Sequence, residues 1–147
     1  MFTNIEQETL DISWFFTNGE FIAFAASAGG KLPDSVAKSK GNLEILFEYF
    51  DDLPYESDVI VNPNLRNIIK SKVTEEYLGN YDNMGRKGLF AFDKTKVNSF
   101  TDPNYHLVIS PVVPLTIHDL PEEIAKILLE TKYDGPIETH FKVDRLT

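Results

Sequence analysis

The sequence has no cysteine among its 147 residues, and this absence excludes several kinds of site. Without thiols the chain can have no disulfide, no thiolate metal ligand and no cysteine nucleophile. A chain without cysteine fits a reducing compartment, so we expect a cytoplasmic protein. The first ten residues lack the basic and apolar regions of a signal peptide, and no apolar run reaches the roughly 18 residues that a membrane span needs. We therefore predict neither a signal peptide nor a membrane protein.

Basic residues are also scarce, because 14 lysines and arginines stand against 23 acids and leave a net charge of −9. The excess lies in residues 1–63, which carry 11 acids and 3 bases, whereas residues 64–147 carry 12 acids and 11 bases. Contacts with phosphate need lysine and arginine, so this composition argues against a nucleic-acid-binding protein. The same charge favours a basic protein as partner.

Motifs for catalysis, metal binding and cofactor binding are absent as well. His106, His118 and His140 lack the spacing of a zinc-binding helix, although His106 and His140 could meet across neighbouring strands. Ser27 precedes two glycines but lies outside a G-x-S-x-G motif, and neither phosphate-loop pattern occurs. We predict no catalytic residue, no metal ligand and no cofactor. The alternative is a small hydrolase whose site is spread over the ends of the sheet without a recognisable motif.

Apolar residues are plentiful enough for one packed domain over residues 1–147, since 42% are hydrophobic and 12% aromatic. Two apolar runs between residues 12 and 26 flank Asn18-Gly19, which predicts a β-hairpin with a two-residue type I′ turn. Both faces of the hairpin are largely apolar. We therefore expect the hairpin at the centre of a sheet, with Trp14, Phe16 and Phe21 buried.

The rest of the chain predicts about three helices and further strands. Apolar residues at helical spacing indicate a helix over residues 42–50, a second that starts near residue 64 and ends at Gly79, and a third that starts near residue 120. Strands are predicted over residues 89–92, 105–113 and 137–143, separated by loops. The order β-β-α-α-β-β-α-β predicts an α+β fold, a single domain with a mainly antiparallel sheet and a central N-terminal hairpin.

One charged stretch is a candidate binding site. Between Glu44 and Asp58 the chain has six acids and no base, with aromatic residues among them. Exposed carboxylates beside tyrosine favour binding of a basic protein, because tyrosine adds rigid contact area. A solvated helix face followed by an acidic loop is the alternative interpretation. The candidate binding residues are Glu48, Asp51, Asp52, Tyr55, Glu56 and Asp58.

Short, distinct motifs of aromatic residues, glycines and prolines are distributed over most of the chain. They are Asp11-Ile12-x-Trp14-Phe15, Ala28-Gly29-Gly30-x-Leu32-Pro33, Tyr49-Phe50 with Leu53-Pro54, Gly88-Leu89-Phe90-x-Phe92-Asp93, and the later prolines Pro111, Pro114 and Pro121. With these motifs the chain resembles an uncharacterised family of small acidic bacterial proteins. The resemblance brings no catalytic residue, and proteins of this kind are often encoded beside toxins as immunity proteins. We expect a non-enzymatic cytosolic protein-interaction module, such as a bacterial immunity protein that binds a basic toxin.

Overall fold

Six helices and a six-stranded sheet make up the computed structural model, which describes residues 1–147. The strands are β1 (Ser13–Thr17), β2 (Ile22–Ala26), β3 (Val59–Val61), β4 (Phe90–Lys94), β5 (Asn104–Pro111) and β6 (His140–Lys142). The helices are α1 (Asn4–Thr9), α2 (Asp34–Ala37), α3 (Lys40–Asp51), α4 (Leu65–Ile69), α5 (Glu75–Arg86) and α6 (Glu122–Leu128), with 3₁₀ turns at Ile117–Asp119 and Val143–Arg145. The α+β class and the mainly antiparallel sheet are confirmed. None of these helices has the length and apolar character required to cross a bilayer.

The strands follow the order β1-β2-β4-β5-β3, and β6 pairs with β5 beside β3. Only β2 and β4 run parallel, while every other pair is antiparallel. The hairpin of β1 and β2 therefore lies at one end of the sheet, and its predicted central position is wrong. Its faces are apolar because helices α3 and α6 cover β1 on one side and aromatic side chains cover it on the other.

The hairpin turns through a longer loop than Asn18-Gly19 alone. Trp14 pairs with Ala25, which shifts the register by two residues from that of a two-residue turn. Gly19 has a φ of +94°, but Asn18 does not adopt the left-handed conformation that a type I′ turn needs. Instead the Asn18 side-chain oxygen accepts a hydrogen bond from the N–H of Phe21 at 2.8 Å. Phe21 consequently lies before β2, where it forms an isolated bridge with Thr116. It is half-buried, so its predicted place in the core is wrong.

The other two predicted core residues of the hairpin are buried. Trp14 is 0% and Phe16 is 1% exposed. Phe141 on β6 packs on this pair and stacks on Tyr105 of β5, with ring centroids 4.9 Å apart. The aromatic cluster thus attaches the short strand β6, whose alternating sequence pattern extends over more residues than the strand itself.

The helix predicted to end at Gly79 is in fact two helices. Lys70 ends α4 with a φ of +56°, and the hydroxyl of Thr74 caps α5 by accepting the N–H of Tyr77 at 3.1 Å. Gly79 lies within α5 on its exposed face, so it does not stop the helix. The residues between the predicted helix end at Gly79 and the strand predicted from residue 89 were expected to form a loop. They instead continue α5 to Arg86, because the buried side of this helix packs on β4 and β5.

Helix α1 and strand β3 have no counterpart in the predictions from sequence. Helix α1 begins at a capping box, in which Thr3 and Glu6 each accept the backbone N–H of the other. Strand β3 forms in the stretch between the helix predicted over residues 42–50 and the one predicted from residue 64, and it pairs antiparallel with the end of β5. This strand places the segment 48–58 beside the edge of the sheet.

Candidate functional site

The six candidate residues lie on one continuous segment, and all are exposed. We refer to Glu48, Asp51, Asp52, Tyr55, Glu56 and Asp58 as the acidic surface. Its first two members stand on the last turns of α3, the third caps that helix, and the others lie on the connection to β3. The sequence prediction of exposed side chains in this stretch is thus correct, whereas their role in binding stays a prediction.

The end of α5 holds the acidic surface in place. Lys87, whose side chain is 4% exposed, donates from Nζ to the carbonyl oxygen of Asp51 at 2.6 Å and lies 3.9 Å from its carboxylate. The carbonyl oxygen of Arg86 accepts the N–H of Glu56 at 2.9 Å. Lys87 and Arg86 are basic residues that border a segment without any lysine or arginine. The Arg86 side chain forms an ion pair with Asp82 at 2.8 Å and not with the acidic surface.

Four of the five carboxylates on the acidic surface have no basic group within 4 Å, and Asp51 has only Lys87. Tyr55 is 59% exposed, and its hydroxyl donates to Asn83 Oδ1 at 2.6 Å. That hydrogen bond fixes one end of the side chain and leaves the ring in solvent. The surface therefore presents unneutralised charge beside an oriented aromatic ring.

Exposed aliphatic side chains border the acidic surface, and sequence reasoning missed them as part of a site. We call Ile60, Val61, Val112 and Val113 the apolar edge; Ile60 is 57%, Val112 53% and Val113 62% exposed. The N–H of Val112 donates to the carbonyl oxygen of Asp58 at 2.9 Å, which joins the two sets directly. Ile60 and Val61 lie on opposite faces of the sheet because side chains alternate along a strand, so the apolar edge flanks both faces of β3. Exposed apolar side chains grouped in this way are typical of an interaction site.

A cavity of about 350 Å³ lies where the acidic surface meets the apolar edge. Glu56 and Val113 line it from the two sets, and Tyr49 and Leu53 form part of its wall. Burial raises the pKa of Tyr49, and the nearby carboxylate of Asp119 raises it further. The Tyr49 phenol is thus neutral and offers a hydroxyl and a ring face.

The structure also assembles a second polar region, which no motif in the sequence predicts. Its cavity of about 430 Å³ lies at the carboxyl ends of the parallel strands β2 and β4, where α/β sheets commonly bind ligands. We call it the Asp93 cleft. The polar residues that line it are Asp11, Ser13, Glu76, Tyr77, Asn80, Tyr81 and Asp93.

A chain of hydrogen bonds leads from the Asp93 cleft into the protein. Asp93 is 8% exposed, and the Tyr77 hydroxyl donates to its Oδ2 at 2.7 Å. His106 Nε2 lies 3.4 Å from the same hydroxyl, and His106 Nδ1 lies 2.9 Å from Thr95 Oγ1. The Tyr77 hydroxyl donates its proton to Asp93, so its oxygen is left to accept a proton from His106. We therefore assign the ring proton of His106 to Nε2, and Nδ1 accepts the hydroxyl proton of Thr95.

Burial dominates the titration of these groups. It raises the pKa of Asp93, against the hydrogen bonds from Tyr77 and Tyr81, and it raises the pKa of Tyr77. Burial also lowers the pKa of His106 to about 4, with a smaller contribution from His140. His106 is therefore neutral at neutral pH and a weak base, which makes this network poorly suited to activate a nucleophile.

The other catalytic and metal candidates separate in the structure. His106 and His140 are paired across β5 and β6 as anticipated, yet His140 Nε2 bonds to Asn104 Oδ1 at 3.0 Å. The hydroxyl of Ser27 is buried and accepts a hydrogen bond from the N–H of Ile12 at 2.8 Å, so its role is to fix the backbone at the start of the hairpin. No group of three or more histidines, aspartates and glutamates is placed to hold a metal ion.

Comparisons of the chain with protein-family models, curated proteins and solved structures found no match. The resemblance drawn from short motifs thus has no support from these comparisons.

Proposed function

We propose that this chain is a protein-interaction module whose acidic surface binds a basic protein. The observation that carries the proposal is the junction of unneutralised carboxylates with the apolar edge. Protein interfaces combine an apolar centre with a polar rim, and Ile60, Val112 and Val113 supply such a centre next to Glu56 and Asp58.

Charge and order at this surface support a basic partner. Carboxylates without ion pairs attract a cationic surface from a distance and so raise the rate of association. Tyr55 and Tyr49 add aromatic contact area with limited conformational freedom. A bacterial immunity protein that neutralises a basic toxin is one function of this class, and it agrees with the motif resemblance.

Capture of partners from the source organism's lysate tests this function. The altered chain carries Asp51→Asn, Asp52→Asn and Glu56→Gln. A matched control carries three substitutions of exposed acids elsewhere, Asp134→Asn, Glu138→Gln and Asp144→Asn. We expect the parent and the control to capture the same basic protein at low salt, with loss at high salt because salt screens exposed charges.

The chain with Asp51→Asn, Asp52→Asn and Glu56→Gln, called the surface variant, should capture that protein with a much lower association rate than the parent. Capture by the surface variant with the parent's rate and salt dependence would overturn the proposal. A partner that both variants lose equally would indicate net charge alone and would also contradict a localised site.

The Asp93 cleft is the one observation that favours the alternative, a small hydrolase. Ser13 and Asp93 both line this cleft, but no histidine does, and His106 is reached only through Tyr77. Hydrolysis of a panel of nitrophenyl esters that disappears in Asp93→Asn would support the hydrolase. Equal background rates in the parent and in Asp93→Asn would count against it.

A further inference from the structure

Strand β3 has one edge paired and one edge free. The Asp58 carbonyl oxygen accepts the N–H of Val112 at 2.9 Å, and the N–H of Asn62 donates to the Val108 carbonyl oxygen at 2.9 Å. Antiparallel ladders alternate, so residue 60 bonds to β5 while the N–H and C=O groups of the residues on either side of it point away. No strand lies beyond β3 in the sheet.

This free edge has little of the protection that sheet edges usually carry. Folded proteins block such edges with lysine, proline, bulges or covering segments. Here the strand is Val59-Ile60-Val61, with Ile60 57% and Val61 36% exposed. Its protective features are its three-residue length, the acid Asp58 before it and Pro63 two residues after it.

We propose that the basic partner binds by pairing an extended segment with the free edge of β3, which adds a strand to the sheet. This inference rests on the proposed function and names the mode of binding at the same surface. The backbone groups of Val59 and Val61 supply hydrogen bonds, as in other cases of strand addition. On the sheet face that carries Asp58 and Ile60 the segment presents its lysines or arginines, whose aliphatic stems pack on Ile60. On the opposite face its apolar side chains pack on Val61.

Charge argues for this occupant over a second copy of the chain. Pairing two β3 strands would bring two acidic surfaces, each with five carboxylates, to one interface. Like charges at an interface are unfavourable, whereas an alternating basic and apolar segment satisfies both the carboxylates and the apolar edge.

The test uses two synthetic hexapeptides as probes, one of alternating lysine and valine and one of alternating glutamate and valine. Hydrogen exchange of the Val59 and Val61 amides, followed by NMR on the full chain, reports pairing at the free edge. We expect the lysine peptide to slow both exchange rates by at least about tenfold at saturation, and the glutamate peptide to leave them unchanged.

Val61→Pro is the variant that tests pairing at the free edge. It removes an N–H that points away from β5 and leaves the hydrogen bonds between β3 and β5 intact. Val61→Ala is its control, since it shortens the side chain and keeps the N–H. We expect the lysine peptide to bind Val61→Ala and not Val61→Pro. The exchange measurement on the parent decides the question even if Val61→Pro fails to fold.

The outcomes separate the edge from the charged surface. Binding of the lysine peptide without protection of Val59 and Val61 would overturn edge pairing and leave the acidic surface as the site. Absence of binding by the lysine peptide would overturn edge pairing as well. Equal protection by both peptides would contradict a basic occupant and with it the proposed function.

Discussion

Two tyrosine hydroxyls show how the acidic surface and the Asp93 cleft differ. Tyr55 donates to Asn83 at 2.6 Å, and Tyr77 donates to Asp93 at 2.7 Å. The distances are almost equal, but Tyr55 is exposed while Asp93 is 8% exposed. Water can replace the first bond and cannot easily replace the second, so similar geometry has unequal consequences.

The two regions also differ in how the chain builds them. The acidic surface is one continuous segment between the last turns of α3 and the start of β3, and its charges remain in solvent. The hydrogen-bond chain of the cleft joins Tyr77 on α5, Asp93 on β4 and His106 on β5. We expect substitutions in the buried parts to change stability and substitutions on the surface to change binding.

The largest contrast is expected between a buried and an exposed aromatic residue. Trp14→Ala should lower the free energy of unfolding by about 3–5 kcal/mol, because Trp14 is 0% exposed and its removal leaves a cavity. Phe47→Ala, at a side chain 40% exposed, should cost about 1 kcal/mol or less. Urea denaturation of both variants measures the difference, and equal losses would contradict the assigned core.

The next effect is a pH dependence of the cleft network. Burial lowers the pKa of His106 to about 4 in the folded chain, while the unfolded side chain keeps its ordinary value of 6.5. Between these values only the unfolded chain takes up the proton. The stability from this group is therefore complete above pH 6.5 and declines as the pH falls towards 4, by roughly 2–3 kcal/mol in total.

His106→Gln should remove this decline. The measurement is the difference between parent and variant in the free energy of unfolding from pH 7 to about 4. Taking the difference separates His106 from its neighbours His140 and Asp93, of which Asp93 has the opposite sign because burial raises its pKa. Parallel curves for parent and variant would show that His106 titrates as it does in water.

Sequence patterns predicted the parts of this protein that depend on local periodicity. The apolar spacing in residues 42–50 indicated α3, and the apolar runs around Asn18-Gly19 indicated the hairpin and the burial of Trp14. Exposure of the acidic surface was also predictable, because consecutive carboxylates are rarely buried without partners. Each of these features is encoded within a short stretch of chain.

Features that depend on distant residues were not predictable in this way. The position of the hairpin in the sheet depends on the parallel pairing of β2 with β4, which no local pattern encodes. A strand was predicted over residues 89–92, next to Asp93, but nothing in the sequence indicated that Tyr77 and His106 would meet Asp93. Gly79 resembled a helix stop, although tertiary packing of α5 on the sheet outweighs its low helix propensity.

The two tyrosines provide a matched pair for the third contrast. Tyr77→Phe should destabilise the chain by about 1–3 kcal/mol, because Asp93 keeps its burial and loses a donor. Tyr55→Phe should change stability by at most about 0.5 kcal/mol, since Asn83 can bond to water. Denaturant unfolding at neutral pH compares them, and a larger effect at Tyr55 would reverse the assignment of the two regions.

The smallest effect is expected on the acidic surface, where its direction is informative. Asp51 ends α3 and Asp52 caps it, and acids at a helix C-terminus are disfavoured by the helix dipole. Asp51→Asn with Asp52→Asn should therefore leave stability unchanged or raise it by about 0.3–1 kcal/mol per residue. The contact of Lys87 with Asp51 opposes this gain only weakly, because their charged atoms are 3.9 Å apart and the carboxylate side chain is 61% exposed.

Thermal denaturation at low salt measures the change, and at high salt the gain should shrink because the charges are screened. Carboxylates that are retained for binding should be neutral or unfavourable for folding. A fall in stability of more than about 1 kcal/mol in the double variant would show instead that these carboxylates hold the end of α3 in place.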